Sequence, residues 1–147
     1  MRISAKGRYA FAALIEIARQ TGIGEVASVV SISEKLGISK IFLEQTVAAL
    51  KKNAIIQSRK GARGGYQLAR GARAITALNV LSAVENTLME KAENTVSGRS
   101  PSTEAAMRMV FDKLDQVIED CLSAVTLQDL LEYADRQNSE QSFMLNI

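Results

Sequence analysis

Apolar side chains recur at steps of three and four over much of this chain. In the first run, Ser4 to Gln20, they fall at Phe11, Leu14, Ile15 and Ala18, which predicts an amphipathic helix ended by Gly22 and Gly24. Ser28 is placed to cap a short second helix carrying Val29, Ile32 and Leu36, and Gly37 to stop it. Ser39 then opens a third helix to about Lys52. The period changes after it. Ile55–Lys60 and Tyr66–Arg70 are short runs around a Gly-rich turn, Gly61–Gly65, and predict a β-hairpin. Ala74–Asn86 returns to helical spacing with Leu78, Leu81 and Val84. Ser97–Pro101 marks a loop. From Ser102 to about Ala124 a long helix carries Met107, Val110, Phe111, Leu114, Val117, Ile118, Cys121 and Val125 on a heptad-like stripe. Thr126 is placed to cap a last helix with Leu127, Leu130, Leu131 and Tyr133, and the chain ends in the apolar tail Phe143–Ile147.

The third helix has an unusual outer face. At about 100° per residue, Leu43, Val47 and Leu50 form a core stripe. Ile41, Gln45, Ala48 and Lys52 lie opposite, with Phe42 at the margin. Such a face suits a helix that meets something other than water, although Phe42 also fits a core position. Two helices joined by Gly37-Ile38-Ser39 make a helix-turn-helix, and the basic hairpin behind it gives the order of a winged helix. An ordinary hairpin would show the same turn; its position makes it a wing, with Lys60 and Arg63 at the tip.

Composition narrows the function. The 147 residues contain no His and one Cys, Cys121, which excludes an internal disulfide and removes the usual zinc ligands and general base. No apolar run reaches the roughly 20 residues of a membrane span, and a cytoplasmic protein is expected. With aromatic residues at 5% and no Trp, the core must be aliphatic. The net charge of +2 hides an asymmetry: 13 Lys/Arg against 4 Asp/Glu up to Val84, and 5 against 12 from Glu85 onward. Between Glu44 and Glu85 there is no acid but seven basic residues. A basic first half points to a polyanion, a solvated basic face being the plain alternative.

Three stretches resemble the Rrf2 family of bacterial winged-helix regulators: Met1–Ala10; Gly37-Ile38-Ser39 with Phe42-Leu43-Glu44-Gln45 and Leu50; and Arg59–Leu68. Thr126-Leu127-Gln128-Asp129-Leu130 is similar to the family's last helix. The resemblance implies a mainly α fold with a small β-hairpin, a winged helix-turn-helix over residues 1–86, a loop at 87–102, and a dimerisation helix with C-terminal helix and tail at 103–147. It further implies a homodimeric repressor on a pseudo-palindromic operator in double-stranded DNA. By position, Ser39, Lys40, Phe42 and Gln45 would enter the major groove, Gln45 suiting adenine and Lys40 guanine or phosphate. Ser4, Lys6, Arg8 and Tyr9 would contact phosphates, assisted by Ser28 at a helix N-terminus; Tyr9 packing on the third helix is the alternative. Lys60, Gly61, Ala62 and Arg63 would reach the minor groove, flanked by Arg59 and Gly64. Met107, Val110, Phe111, Leu114, Val117, Ile118 and Cys121 would form the dimer interface.

One departure matters. Members that carry an iron–sulfur cluster have three cysteines in the loop after the fourth helix, whereas Asn86–Thr103 here has none. No metal or cofactor is expected, and Cys121 is expected to be a small buried hydrophobe rather than a redox sensor. The chain is similar to the cluster-free cysteine-metabolism repressors of the family, including the apolar tail ending in Ile; that likeness implies a cysteine synthase (CysK-type) as co-regulator. A winged-helix module that binds protein instead of DNA would use Ile41, Phe42 and the tail. No nucleophile–base pair, phosphate loop or carboxylate pair supports an enzyme.

Overall fold

A computed structural model of the chain describes residues 3–91, 93, 96 and 98–146. Met1 and Arg2 of the N-terminal motif, Ala92, Asn94, Thr95 and Ser97 of the predicted loop, and Ile147 of the tail lie outside the described residues. The elements run α1 (Ala5–Gly22), α2 (Val29–Leu36), α3 (Lys40–Lys52), β1 (Ile56–Arg59), β2 (Gly65–Leu68), a 3-10 turn (Ala72–Ala74), α4 (Ala77–Val84), α5 (Pro101–Ser123) and α6 (Leu127–Leu145).

Helix α1 is the hub, touching α2, α3, α4, β2 and α6. Ser4 caps it, its side chain accepting the Gly7 N–H at 3.3 Å. The small residues Ala10 and Ala13, with Leu14 and Ile17, are wholly buried and let neighbouring helices approach closely. Ser28 caps α2 by accepting the Ser31 N–H at 3.0 Å. Gly37 ends α2 in the left-handed conformation at φ 65°, where a side chain would be strained. Ser39 holds the N-cap position of α3 as expected, but its hydroxyl makes no capping hydrogen bond. The predicted stripe of α3 is buried, and Thr46 belongs to it: Leu43, Thr46, Val47 and Leu50 are at most 1% exposed. Thr46 satisfies its hydroxyl within the helix, donating to the Phe42 carbonyl at 2.9 Å.

Strands β1 and β2 pair antiparallel, Ile56 opposite Leu68 and Arg59 opposite Gly65. Ala27 adds a one-residue third strand, exchanging two backbone hydrogen bonds with Tyr66 at 2.8 and 2.9 Å. This contact ties the wing to the residue before the N-cap of α2. Gly65 permits it, because a Cβ there would lie 2.7 Å from the Ala27 carbonyl oxygen.

Three expectations are corrected. The fourth helix does not begin at Ala74: Ile75 is extended, Thr76 caps, and α4 starts at Ala77. The cause lies far along the chain, since Ala77 donates to Val125 O and Leu127 to Ile75 O, both at 2.8 Å, holding residues 75–77 in a bridge beside the start of α6. Thr76 and Thr126 each form a capping box with the residue three further on. Cys121, expected to be buried, is exposed in the single chain, on a helix none of whose residues is fully buried. The apolar tail is also not separate from the last helix; α6 continues as helix through Phe143 and Met144 to Leu145.

Helix α5 touches α4, yet none of its 23 residues is buried. By contrast Leu127 at the start of α6 is 2% exposed and belongs to the core built on α1.

Removing the Leu43 side chain should leave a cavity and lower the unfolding free energy in urea by about 2–5 kcal/mol. Ile41→Ala, on the exposed face two residues earlier, should change it by no more than about 0.5 kcal/mol. Similar losses from both would contradict the assignment of the two faces.

Candidate nucleic-acid interface

The packing of α3 on α1 decides what faces outward. With Leu43, Thr46, Val47 and Leu50 turned inward, Ile41 and Phe42 stand 67% and 58% exposed, and Gln45 is exposed beside them. Phe42 is therefore not a core residue. The N-terminal turn of α1 comes to the same place. Ser4, Ala5, Lys6 and Tyr9 from α1 and Phe42, Gln45 and Thr46 from α3 line an open groove of about 370 Å³. Tyr9 is half-buried, packed against the core while lining this groove, so it combines the two alternatives read from sequence.

The other expected residues are not among those lining this groove. Lys40, in the first turn of α3, is 3.9 Å from Glu44 one turn on. Ser39 and Arg8 are exposed, and Ser28 is half-buried at the α2 N-terminus. In the wing, Arg59, Lys60, Gly61, Ala62 and Arg63 are exposed and Gly64 is partly covered. Gly61 has φ 117°, and a Cβ on Gly64 would sit 2.5 Å from the Arg59 carbonyl oxygen, so the tip closes only with glycine at both. Among the described residues, none of Lys6, Arg8, Arg59, Lys60 and Arg63 forms an ion pair. Their charge is left for an outside anion.

Two acidic residues carry structure that sequence reasoning missed. Glu16, on α1, is 6% exposed and pairs with Lys35 of α2 at 2.5 Å and Arg19 at 3.1 Å; Arg19 reaches Asp135 of α6 at 3.5 Å. Glu85, just after α4, accepts from the Ser4 backbone N–H at 2.8 Å and the Ser4 hydroxyl at 2.6 Å. Its sequence signal is slight: it is the first acid after a long basic stretch.

A profile of the Rrf2 family, described as an iron-dependent transcriptional regulator, matches residues 3–133. The transcriptional regulator IscR of Yersinia pseudotuberculosis is 34% identical over 146 residues, covering 95% of this chain and 88% of its own. Among solved structures, CymR, the global cysteine regulator of B. subtilis, superposes with a TM-score of 0.75 at 30% identity, over 90% of this chain and 98% of that one. IscR of T. potens gives 0.71 at 32% identity, over 91% and 88%.

The donor set here does not fit an iron–sulfur cluster. A cluster takes about four thiolate or imidazole ligands, and the chain has one thiol and no imidazole. Among the described residues no three His, Cys, Asp or Glu side chains are grouped to hold a metal. Anaerobic incubation with ferrous iron and sulfide, followed by desalting, should leave no visible absorbance on the protein. A band retained in proportion to protein and lost in Cys121→Ser would contradict this.

Proposed function

Since the chain belongs to the Rrf2 family and is a transcriptional regulator rather than an enzyme, we propose that it acts as a homodimeric repressor. It occupies a pseudo-palindromic operator in double-stranded DNA. The observation that carries this reading is the groove where Gln45 and Phe42 of α3 meet Lys6 and Tyr9 of α1. A flexible, water-facing helix would not offer an aromatic and an amide on a rigid, core-anchored face. Ser39, Lys40, Phe42 and Gln45 read base edges, Gln45 by its amide and Phe42 by apolar contact with a thymine methyl. Lys6, Arg8 and Tyr9 hold phosphates with Ser28 beside them, and Arg59–Gly64 follow the neighbouring minor groove.

The second copy is called for by α5. Val110, Leu114 and Val117 are 58%, 52% and 57% exposed on a helix about 35 Å long. A continuous apolar stripe of that extent marks an interface, and a two-fold pairing of α5 with its copy covers Met107, Val110, Phe111, Leu114, Val117, Ile118 and Cys121 together. In this arrangement residues 1–86 bind DNA, 87–102 link, and 103–147 dimerise. Among the described residues no helix is long and apolar enough to cross a membrane, and we place the repressor in the cytoplasm with its operator.

Binding to a duplex selected from a randomised pool should fall with salt at a log–log slope of about −7, as for a dimer neutralising about eight phosphates. Arg63→Ala should weaken binding to selected and random duplexes alike. Gln45→Ala should weaken only the selected one, by about 1–3 kcal/mol. A protein that selects no sequence would instead support a protein-binding module that has lost DNA recognition.

The likeness to a global cysteine regulator supports a further proposal, that the regulated genes serve cysteine or sulfur metabolism and that a cysteine synthase (CysK-type) is co-regulator. The exposed end of α6, with Phe143, Met144 and Leu145 at 70%, 75% and 87%, offers the contact. Gel filtration of the mixed proteins should show a complex that truncation after Ser142 removes; two unshifted peaks would count against it.

A further inference from the structure

Ser4 was expected to touch phosphate, but its two hydrogen-bond donors are already engaged. The backbone N–H and the hydroxyl both donate to one oxygen of Glu85, at 2.8 and 2.6 Å, while the hydroxyl oxygen accepts the Gly7 N–H. A serine has no further donor to give a phosphate. We infer that Glu85 is a positioning residue for DNA binding: it clamps the first turn of α1 through Ser4 and so sets Lys6 and Tyr9 in the groove beside α3. The inference rests on the DNA-binding reading above.

Three features support it. Glu85 is itself held, its backbone N–H donating to Leu81 O at 2.7 Å as the cap of α4. The approach is made possible by the buried Gly7, where a Cβ would lie 2.6 Å from the same Glu85 oxygen and 2.5 Å from Ile3 Cγ2. A carboxylate at a helix N-terminus also interacts favourably with the backbone dipole. The contact spans 81 positions in sequence and sits where the chain leaves α4 on its way to α5.

The sign of the effect separates positioning from bare charge. A carboxylate beside a groove for a polyanion repels it, so Glu85 acting through charge alone would make Glu85→Ala bind DNA more tightly. Positioning requires the opposite. By fluorescence anisotropy on the selected duplex, Glu85→Ala should bind about tenfold more weakly, the size expected for losing charge-assisted hydrogen bonds. Glu85→Gln keeps an acceptor oxygen and should stay within about twofold of the unmodified protein. Ser4→Ala should weaken binding as well, and the double variant should be no weaker than Glu85→Ala alone, since both remove one interaction. Gly7→Ala, which displaces the carboxylate, should reproduce the loss.

Binding by Glu85→Ala as tight as or tighter than that of the unmodified protein overturns the inference, as do losses from Ser4→Ala and Glu85→Ala that multiply. Should Glu85→Ala fail to fold by circular dichroism, Ser4→Gly decides: it keeps the backbone donor and loses the hydroxyl. Unchanged affinity there overturns the inference, and a severalfold loss supports it. If the unmodified protein binds no duplex, the DNA-binding reading falls and this inference with it; normal binding with an indifferent position 85 removes the inference alone.

Discussion

The edge of α3 made by Leu43, Thr46, Val47 and Leu50 is sealed against a core whose largest share comes from α1. That burial fixes the rotation of α3 about its axis, and the rotation fixes which residues look outward. A helix turned by one position, about 100°, would bring Phe42 toward the core and expose Leu43. The reading face and the groove shared with Lys6 and Tyr9 both follow from this packing. The short side chains of Ala10 and Ala13 on α1 allow the close approach.

Against that rigid unit, α5 has the opposite character. It is long and amphipathic, yet none of its residues is fully buried in its own chain. The proposed dimer resolves the imbalance by covering the stripe with its copy, and in doing so sets the separation of two reading faces. The acidic second half of the chain suits this division, since Asp112, Asp115, Glu119 and Asp120 ride on α5 rather than near the basic groove. The interaction of Glu85 with Ser4 lies within the rigid unit and ties the end of α4 to the start of α1.

Local signals were legible in the sequence. Gly37 marked the end of α2 because only a residue at ease with positive φ fits there; at the wing tip Gly61 is needed for the same reason and Gly64 for the close approach of the Arg59 carbonyl. The stripe of α3 was visible at positions 43, 47 and 50; Thr46 escaped notice because its polarity conceals a hydroxyl satisfied within the helix. Long-range pairings were not legible. Residues 75–77 look helical until Val125 and Leu127 hold them extended, and the role of Glu85 depends on a partner at the opposite end of the domain. Cys121 looked like a core residue because periodicity reports an apolar face without saying which molecule covers it.

The central claim is that two rigid reading units, joined through α5, sit together on one duplex. Sedimentation equilibrium of the protein with a selected duplex measures this most directly, through the mass of the complex. The account requires two chains per duplex with no one-chain complex populated on the way. A complex of one chain per duplex, stable as protein is added in excess, would contradict it.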